Sequence, residues 1–160
     1  MKKIRTGLGF DVHVLEQGRD FWLGGVKIDH NKGAVGHSDA DVLIHAVCDA
    51  LLGAASLGDI GIHFPNTDEK YKGIDSKILL KETVMLLEKK GYKIGNIDVT
   101  LLLEKPKISP YIPKMIAVLS SVMGIEQEDL SIKATTTETL GYEGREEGVS
   151  CMASALIYQI

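Results

Sequence analysis

Residues 36–61 read GHSDADVLIHAVCDALLGAASLGDIG, and this stretch decides the fold. Nearly every helical turn within it is apolar, which is typical of a helix buried on most of its surface. Ser38 or Asp39 can accept hydrogen bonds from the free amides of a first turn, so the pattern predicts a helix from about Ala40 to Ser56. The rest of the chain is expected to pack around this central helix.

One line of the central helix is polar. Asp41, His45 and Asp49 are four residues apart, so they follow one another along a single face. Burying such groups without partners costs roughly 1–3 kcal/mol each, so we expect them to face a metal, a ligand or a polar network. A hydrogen-bonded core histidine is the simpler interpretation of a lone His. Two flanking carboxylates and the GDIG that follows favour a functional site.

Periodic patterns outline the other elements. Strands are predicted at residues 4–10, 97–103, 131–134 and 149–158, a hairpin at 21–29 that turns at Gly24-Gly25, helices at about 75–90 and 111–123, and a polar loop at 64–68. Strands and helices interleave irregularly, so we predict a single domain over residues 1–160 of the α/β (α+β) class, with a mixed β-sheet, helices packed on one face and a small β-hairpin.

Composition narrows the classes of function. The 160 residues carry a net charge of −4, which argues against a nucleic-acid binder that relies on bulk positive charge. There is no apolar run long enough to span a membrane and no N-terminal signal core, so no membrane partner is expected. Cys48 and Cys151 lie in apolar segments and are interpreted as reduced core residues of a cytoplasmic protein.

A candidate metal site combines this helix with the end of the first strand. Period-two geometry places Asp11 and His13 on the same side of that strand, the side of Gly7 and Gly9. With His45 they make a carboxylate and two imidazoles. A zinc site with an open coordination position uses this set, and so does the triad of non-haem iron enzymes, so both metals remain open at this point.

A second polar group follows the predicted strand at 131–134. The run Lys133-Ala134-Thr135-Thr136-Thr137-Glu138 offers hydroxyls and amides to phosphate oxygens and a carboxylate to a cation. β-branched residues that simply finish a strand are an equally good interpretation of the threonines. Lys107 could pair with phosphate as a point charge, whereas Arg145 and Glu147 could equally form a surface pair.

Taken together, these motifs resemble the 2-C-methyl-D-erythritol 2,4-cyclodiphosphate synthase family. The resemblance rests on GFDVH, GHSDADVLIHAVCDALLGAASLGDIG, FPNTD, NIDVT, KPKISPYIP and KATTTETLGYEGREEG, which occur in family order over almost the whole chain. It implies a phosphorus-oxygen lyase of the non-mevalonate isoprenoid pathway. The 2-phosphate of 4-diphosphocytidyl-2-C-methyl-D-erythritol 2-phosphate would attack the β-phosphorus and release CMP.

The resemblance also implies roles for individual residues. Asp11, His13 and His45 would hold one zinc per chain, Glu138 would hold Mg²⁺ or Mn²⁺ with the substrate diphosphate, and His37 and Thr136 would be catalytic. Substrate-binding residues would be Ser38, Asp59, Ile60, Gly61, Phe64, Pro65, Asn66, Thr67, Asp68, Leu103, Pro106, Lys107, Ile108, Ser109, Ala134, Thr135, Thr137, Tyr142 and Arg145. The assembly would be a homotrimer with active sites between subunits.

Two residues depart from the family pattern. Asn66 stands where Asp is usual and Tyr142 where Phe is frequent, and neither change affects a proposed metal ligand. Two other functions compete with the synthase. A non-haem iron oxygenase would use the same three ligands, and a non-catalytic metal- or nucleotide-binding module would bind without turnover. Bound-metal analysis tests the first, and release of CMP tests the second.

Overall fold

In the computed structural model, residues 3–160 are described, and their core is a five-stranded sheet beside a two-stranded hairpin. The strands are β1 (Ile4–Gln17), β2 (Phe21–Leu23), β3 (Val26–Ile28), β4 (Lys32–Ala34), β5 (Tyr92–Leu102), β6 (Leu130–Thr135) and β7 (Gly148–Gln159). The helices are α1 (Val42–Ala54), α2 (Ile60–His63), α3 (Ser76–Lys89), α4 (Ile112–Met123) and α5 (Gly141–Gly144), with 3₁₀ turns at Glu69–Tyr71 and Gln127–Asp129.

The large sheet is mixed, as predicted. Its strand order is β4-β1-β7-β5-β6, with antiparallel pairing everywhere except between β5 and β6. The hairpin of β2 and β3 is also confirmed, and Gly24 and Gly25 both have positive φ at its turn. A two-residue hairpin turn of this kind requires left-handed backbone, which glycine adopts without a steric penalty.

Helix α1 lies directly against β1 and β7. A Cβ added at Gly7 would lie 2.0 Å from the carbonyl oxygen of Ala50, and one at Gly9 would lie 1.9 Å from that of Ala46. The helix and strand backbones therefore approach as closely as they do because these strand positions have no side chains. Since Asp11 and His13 share this face of β1, the close approach sets their distance from α1.

The start of α1 was predicted wrongly. The N-cap is Asp41, not Ser38 or Asp39, and the helix ends at Ala54 rather than Ser56. Asp41 is fully buried, and its carboxylate accepts hydrogen bonds from the amides of Ile44, Gly24 and Gly25 at 3.1, 2.9 and 2.7 Å. It thus caps α1 and holds the hairpin turn, and it does not face a ligand.

Other boundaries shift from the predictions. β1 continues seven residues past residue 10, because residues 11–17 keep pairing with β7 and then β4. β5 begins five residues earlier than expected, at Tyr92. The short helices α2 and α5 and the strand β4 were not predicted.

The sheet face opposite the helices is open in the single chain. Ile4, Leu8, Phe10, Val12 and Val14 of β1 point to this face and are between 44% and 73% exposed. Met152 and Tyr158 of β7 are also among the exposed large apolar residues. A contiguous apolar surface of this kind usually marks an interface with another protein. Among the described residues, the structure contains no helix long and apolar enough to cross a membrane.

Candidate active site

The three predicted metal ligands converge. The Oδ2 atom of Asp11 lies 3.0 Å from His13 Nε2 and 3.0 Å from His45 Nδ1, and the two ring nitrogens are 3.1 Å apart. Asp11 and His13 come from β1, and His45 comes from the first turns of α1. Among the described residues, these three side chains form the group of His, Cys, Asp or Glu that is close enough together to hold one metal ion.

The second nitrogen of each imidazole has its own partner. His13 Nδ1 donates to the carbonyl oxygen of Val35 at 3.0 Å. His45 Nε2 lies 3.0 Å from Ser76 Oγ and 3.1 Å from Ser38 Oγ. Outer partners of this type orient metal-binding histidines. The remaining nitrogens, with the Asp11 carboxylate, are therefore aimed at one point, and the donor set fits a divalent metal.

The electrostatics of the triad couple Asp11 to the two imidazoles. Burial alone would raise the pKa of Asp11, but hydrogen bonds and the charges of His13 and His45 outweigh it and hold that pKa far below its usual range. Burial would likewise lower the pKa of His45, but the hydrogen bond and charge of Asp11 raise it above its ordinary value. Asp11 and His45 thus stabilise each other's charged forms in the metal-free chain.

Of the predicted polar stripe, only His45 faces this site. Asp41 points to the hairpin, and burial raises its pKa. Asp49 accepts a hydrogen bond from the amide of Ile60 at 2.7 Å, and its pKa is raised chiefly by burial. Asp49 therefore fixes the start of α2 and, through it, one wall of the adjoining cavity.

A cavity of about 400 Å³ opens beside the triad. Its lining comprises His13, His37, Ser38, His45, Ile60, Gly61, Phe64, Pro65, Asn66, Thr67, Tyr71, Ile74 and Leu79. Eight of these were predicted as catalytic or substrate-binding residues, whereas Tyr71, Ile74 and Leu79 were missed because they look like ordinary core residues. We call this space the triad cavity.

Two predicted residues near the triad cavity do not line it. The side chain of Asp59 caps α2 by accepting from the amide of Ile62 at 3.0 Å. The side chain of Asp68 caps the 3₁₀ turn by accepting from the amide of Lys70 at 3.0 Å. Both carboxylates therefore shape the loops that carry the lining, and their predicted contact with substrate stays a prediction.

A second cavity, of about 470 Å³, lies at the carboxyl ends of β5 and β6. Its lining comprises Leu103, Glu104, Lys105, Pro106, Lys107, Ile108, Ser109, Ala134, Thr135 and Thr136. The predicted catalytic residue Thr136 lies here, together with seven of the predicted substrate-binding residues: Leu103, Pro106, Lys107, Ile108, Ser109, Ala134 and Thr135. Their contact with substrate stays a prediction. We call this space the threonine cavity, and it shares no residue with the triad cavity.

Besides Asp11, Asp59 and Asp68, four predicted residues line neither cavity. Thr137 Oγ1 donates to the carbonyl oxygen of Leu140, and Glu138 is exposed with positive φ, its amide 3.4 Å from Thr136 Oγ1. Tyr142 bonds Ser150 through its hydroxyl at 2.7 Å. The fourth residue, Arg145, forms two bonds with Glu147 at 3.0 and 3.1 Å, which is the surface pair considered from the sequence.

The sequence of this chain is similar to a protein family and to synthases from bacteria. A family model described as the YgbB family matches residues 4–158. A 2-C-methyl-D-erythritol 2,4-cyclodiphosphate synthase of Bacteroides thetaiotaomicron is 62% identical over 155 residues, covering 97% of this chain and 98% of that protein.

Solved structures agree with the sequence relatives. IspF of Plasmodium falciparum, in a CDP complex, is 36% identical with a TM-score of 0.86, and the match covers 99% of this chain and 98% of that one. The bifunctional IspDF of Campylobacter jejuni is 38% identical with a TM-score of 0.96, and the match covers all of this chain and 43% of that longer one.

Proposed function

The chain belongs to the YgbB family, and we propose that it catalyses the cyclisation for which its relatives are named. The substrate is 4-diphosphocytidyl-2-C-methyl-D-erythritol 2-phosphate, and the products are 2-C-methyl-D-erythritol 2,4-cyclodiphosphate and CMP. The observation that carries this proposal is the convergence of Asp11, His13 and His45 beside a cavity, in a chain 62% identical to a synthase. Residues 1–160 act as one catalytic domain.

The metal in the triad is proposed to be zinc, one ion per chain. One carboxylate and two imidazoles leave a coordination position open, and the triad cavity lies beside it. A bound zinc ion supplies Lewis acidity and positive charge to a phosphate oxygen. Family membership disfavours the iron oxygenase that shares this ligand set. Glu138 is proposed to help hold Mg²⁺ or Mn²⁺ against the substrate diphosphate.

The reaction needs positioning and charge neutralisation more than a protein nucleophile. The substrate's own 2-phosphate oxygen forms a bond to the β-phosphorus, the bond from that phosphorus to the α-phosphate oxygen breaks, and CMP leaves with that oxygen. His37 lines the triad cavity and Thr136 lines the threonine cavity. We assign both to stabilising charge that develops at phosphorus.

The positions of the two cavities support an active site shared between subunits. Asp11 pairs with Cys151, Cys151 with Leu101, and Leu101 with Ala134 across the sheet. Asp11 and Ala134 are thus three strand spacings apart, roughly 14 Å. His37 and Thr136 act on the same phosphates in our proposal but line different cavities, so a neighbouring chain is proposed to bring its threonine cavity to the triad cavity.

The open sheet face supplies a reason for the chains to associate. Its exposed apolar residues, including Leu8 and Phe10, gain free energy when another chain covers them. Three chains arranged with these faces together would form a homotrimer with three shared clefts. The carboxyl ends of β5 and β6 lie at the same end of the sheet as the triad, because Asp11 and Ala134 lie in one row.

The two free cysteines bear on the cellular compartment in which the protein is placed. Cys48 and Cys151 are both buried and unpaired, and burial raises the pKa of the Cys48 thiol to about 12. Protected thiols that form no disulfide suit a reducing compartment, so we place the protein in the cytoplasm.

The proposed function is tested by measuring CMP release from the cytidine substrate. Turnover that depends on added zinc and on Mg²⁺ or Mn²⁺ is expected, and His45→Ala should lose both zinc and turnover. Binding of the substrate without CMP release by the zinc-loaded chain would favour the non-catalytic module. Stoichiometric zinc in His45→Ala would show that the ligand assignment is wrong.

The shared site needs a separate experiment. Inactive His45→Ala chains are mixed with inactive Lys107→Ala/Thr136→Ala chains, dissociated and reassembled. Some clefts in mixed trimers would then combine two unaltered halves, so activity should partly return. A monomer by size-exclusion chromatography, or mixed trimers without activity, would contradict the shared site.

A further inference from the structure

The hydroxyl of Ser76 and the carboxylate of Asp39 lie beside the ring nitrogen of His45 that faces away from Asp11 and His13. Ser76 is fully buried at the first position of α3, and its Oγ lies 3.0 Å from His45 Nε2. The same hydroxyl donates to Asp39 Oδ1 at 2.5 Å. Asp39, Ser76 and His45 therefore form a chain of hydrogen bonds that leads to the triad, although 31 and 37 residues separate Ser76 from the other two.

Asp39 is held rigidly enough to direct this chain. Its Oδ2 accepts from the amide of Ser76 at 3.0 Å, and its Oδ1 also accepts from the amide of Asp41 at 3.2 Å. Its own amide donates to the carbonyl oxygen of Ile74 at 3.0 Å. Asp39 thus binds the first amide of α3 from the segment before α1, and its carboxylate cannot rotate away without breaking these bonds.

The available protons determine which atom donates in each hydrogen bond from His45 to Ser76 and from Ser76 to Asp39. A carboxylate only accepts hydrogen bonds, so the single hydroxyl proton of Ser76 points to Asp39. The lone pairs of Ser76 Oγ then face His45, and Nε2 must carry a proton to donate to them. A histidine that binds a metal is neutral, so its remaining lone pair is then on Nδ1, the atom that faces Asp11 and His13.

We propose that Asp39 and Ser76 are positioning residues that select the Nε2-protonated tautomer of His45 and orient its Nδ1 toward the metal. The inference rests on the proposed metal site and extends it to two residues outside the ligand set. Partners of this type change metal affinity by about 10–100-fold when removed. Neither residue needs to touch substrate.

Ser38 is a second acceptor within reach of His45, because its Oγ lies 3.1 Å from Nε2. However, Ser38 receives the amide of Ala40 at 3.2 Å and has no carboxylate partner, so nothing fixes its proton. It lies 3.3 Å from Ser76 Oγ, where its hydroxyl can donate. The hydrogen bond whose donor is fixed is therefore the one from His45 Nε2 to Ser76 Oγ.

The experiment measures zinc affinity by competition with a chelator in purified full-length chains, together with NMR of ¹⁵N-labelled histidine rings in the zinc-loaded protein. Ser76→Ala removes the acceptor but leaves the Ser76 amide bonded to Asp39. Asp39→Asn introduces an amide that can donate to Ser76 and reverse the hydroxyl. Ser120→Ala is the matched control, because this buried hydroxyl bonds only the carbonyl oxygen of Ala117 in α4.

We expect Ser76→Ala and Asp39→Asn to bind zinc about 10–100-fold more weakly, and to lose the slowly exchanging Nε2–H signal of His45. Ser120→Ala should keep both. Wild-type zinc affinity and an intact Nε2–H signal in Ser76→Ala would overturn the positioning role of Asp39 and Ser76 and leave the metal site standing. A wild-type chain that binds no zinc would overturn the metal site as well. If Ser76→Ala fails to fold, Asp39→Asn decides by the same two measurements.

Discussion

Replacing Gly9 with alanine tests whether the contact between β1 and α1 sets the geometry of the metal ligands. A Cβ at Gly9 lies 1.9 Å from the carbonyl oxygen of Ala46 and 2.7 Å from the amide nitrogen of Ala50. Both atoms belong to the backbone of α1. No side-chain rotation can relieve these contacts, so the helix or the strand must move.

The size of that movement follows from the contact distance. Nonbonded contacts of a Cβ closer than 3.0 Å are essentially not observed, so α1 must move by about 1 Å in a tightly packed interior. His45 precedes Ala46 and would move by a similar distance from Asp11 and His13. Metal sites tolerate deviations of about 0.2 Å in ligand distance, so zinc affinity should fall about 10-fold or more, and overpacking should cost about 1–3 kcal/mol of stability.

Gly53→Ala is the matched control, since Gly53 lies in the same helix and has nothing within 4 Å of an added Cβ. Alanine in an exposed helical position should raise the free energy of unfolding by about 0.5–1 kcal/mol. Urea unfolding and chelator competition measure both effects. A Gly9→Ala chain with wild-type stability and zinc affinity would refute the claim that this contact positions His45.

Three further outcomes follow from the site. Thr136→Ala should lower kcat by about 10²–10³-fold with less effect on KM, because lost stabilisation of developing charge costs about 3–4 kcal/mol; an unchanged kcat with a raised KM would make Thr136 a binding residue only. Asp41→Ala leaves three amides without their acceptor and should cost about 2–5 kcal/mol in urea unfolding, and a loss below 1 kcal/mol would contradict its role. In the metal-free chain, the lowered pKa of Asp11 adds stability that is lost as pH falls below about 4, and the raised pKa of His45 adds stability that is lost as pH rises above about 6.5. The stability advantage over Asp11→Asn should therefore peak between these values, and a flat difference across pH would argue against the ion pair.

Much of the sheet could be predicted because its strands alternate cleanly. Gly7 and Gly9 are visible in the sequence as a face of β1 without side chains, which favours close approach of another element, and α1 lies against this face. The end of β1 was placed too early, at the residue before the charged Asp11. Val12 and Val14 continue the apolar alternation of the outward face, and the backbone of β1 pairs with β7 as far as Val14.

The cap of α1 was mispredicted because several residues before the helix are good caps. Ser38, Asp39 and Asp41 can each accept amide hydrogen bonds, and local sequence does not rank them. Tertiary contacts decide, because the hairpin turn needs an acceptor at Asp41 and α3 needs one at Asp39. Asp41 is thereby turned away from the triad, and Asp49 is occupied by the amide of Ile60, so His45 is the residue of the polar stripe that joins Asp11 and His13.

The metal triad was predictable because its three side chains are chemically distinctive, but its outer partners were not. The sequence offers Asp75 or Ser76 as the cap of α3, and the cap is Asp75, which accepts from the amide of Lys77 at 2.9 Å. The hydroxyl of Ser76 reaches His45 only because α3 packs beside α1. A contact across 31 residues leaves no local pattern in the sequence.

The orientation of β1 supports the proposed association between chains. In a half-buried strand the apolar residues normally face the core, yet here the helix packs on the glycine face, and Leu8, Phe10 and Val12 face outward. The inward face is used for close backbone approach, which positions His45 beside Asp11 and His13. The outward face then carries the exposed apolar surface, on the same strand as Asp11 and His13 but on the opposite side of the sheet. Because the two faces of β1 have separate roles, the proposed association could bury the outward side chains without displacing α1 or the triad.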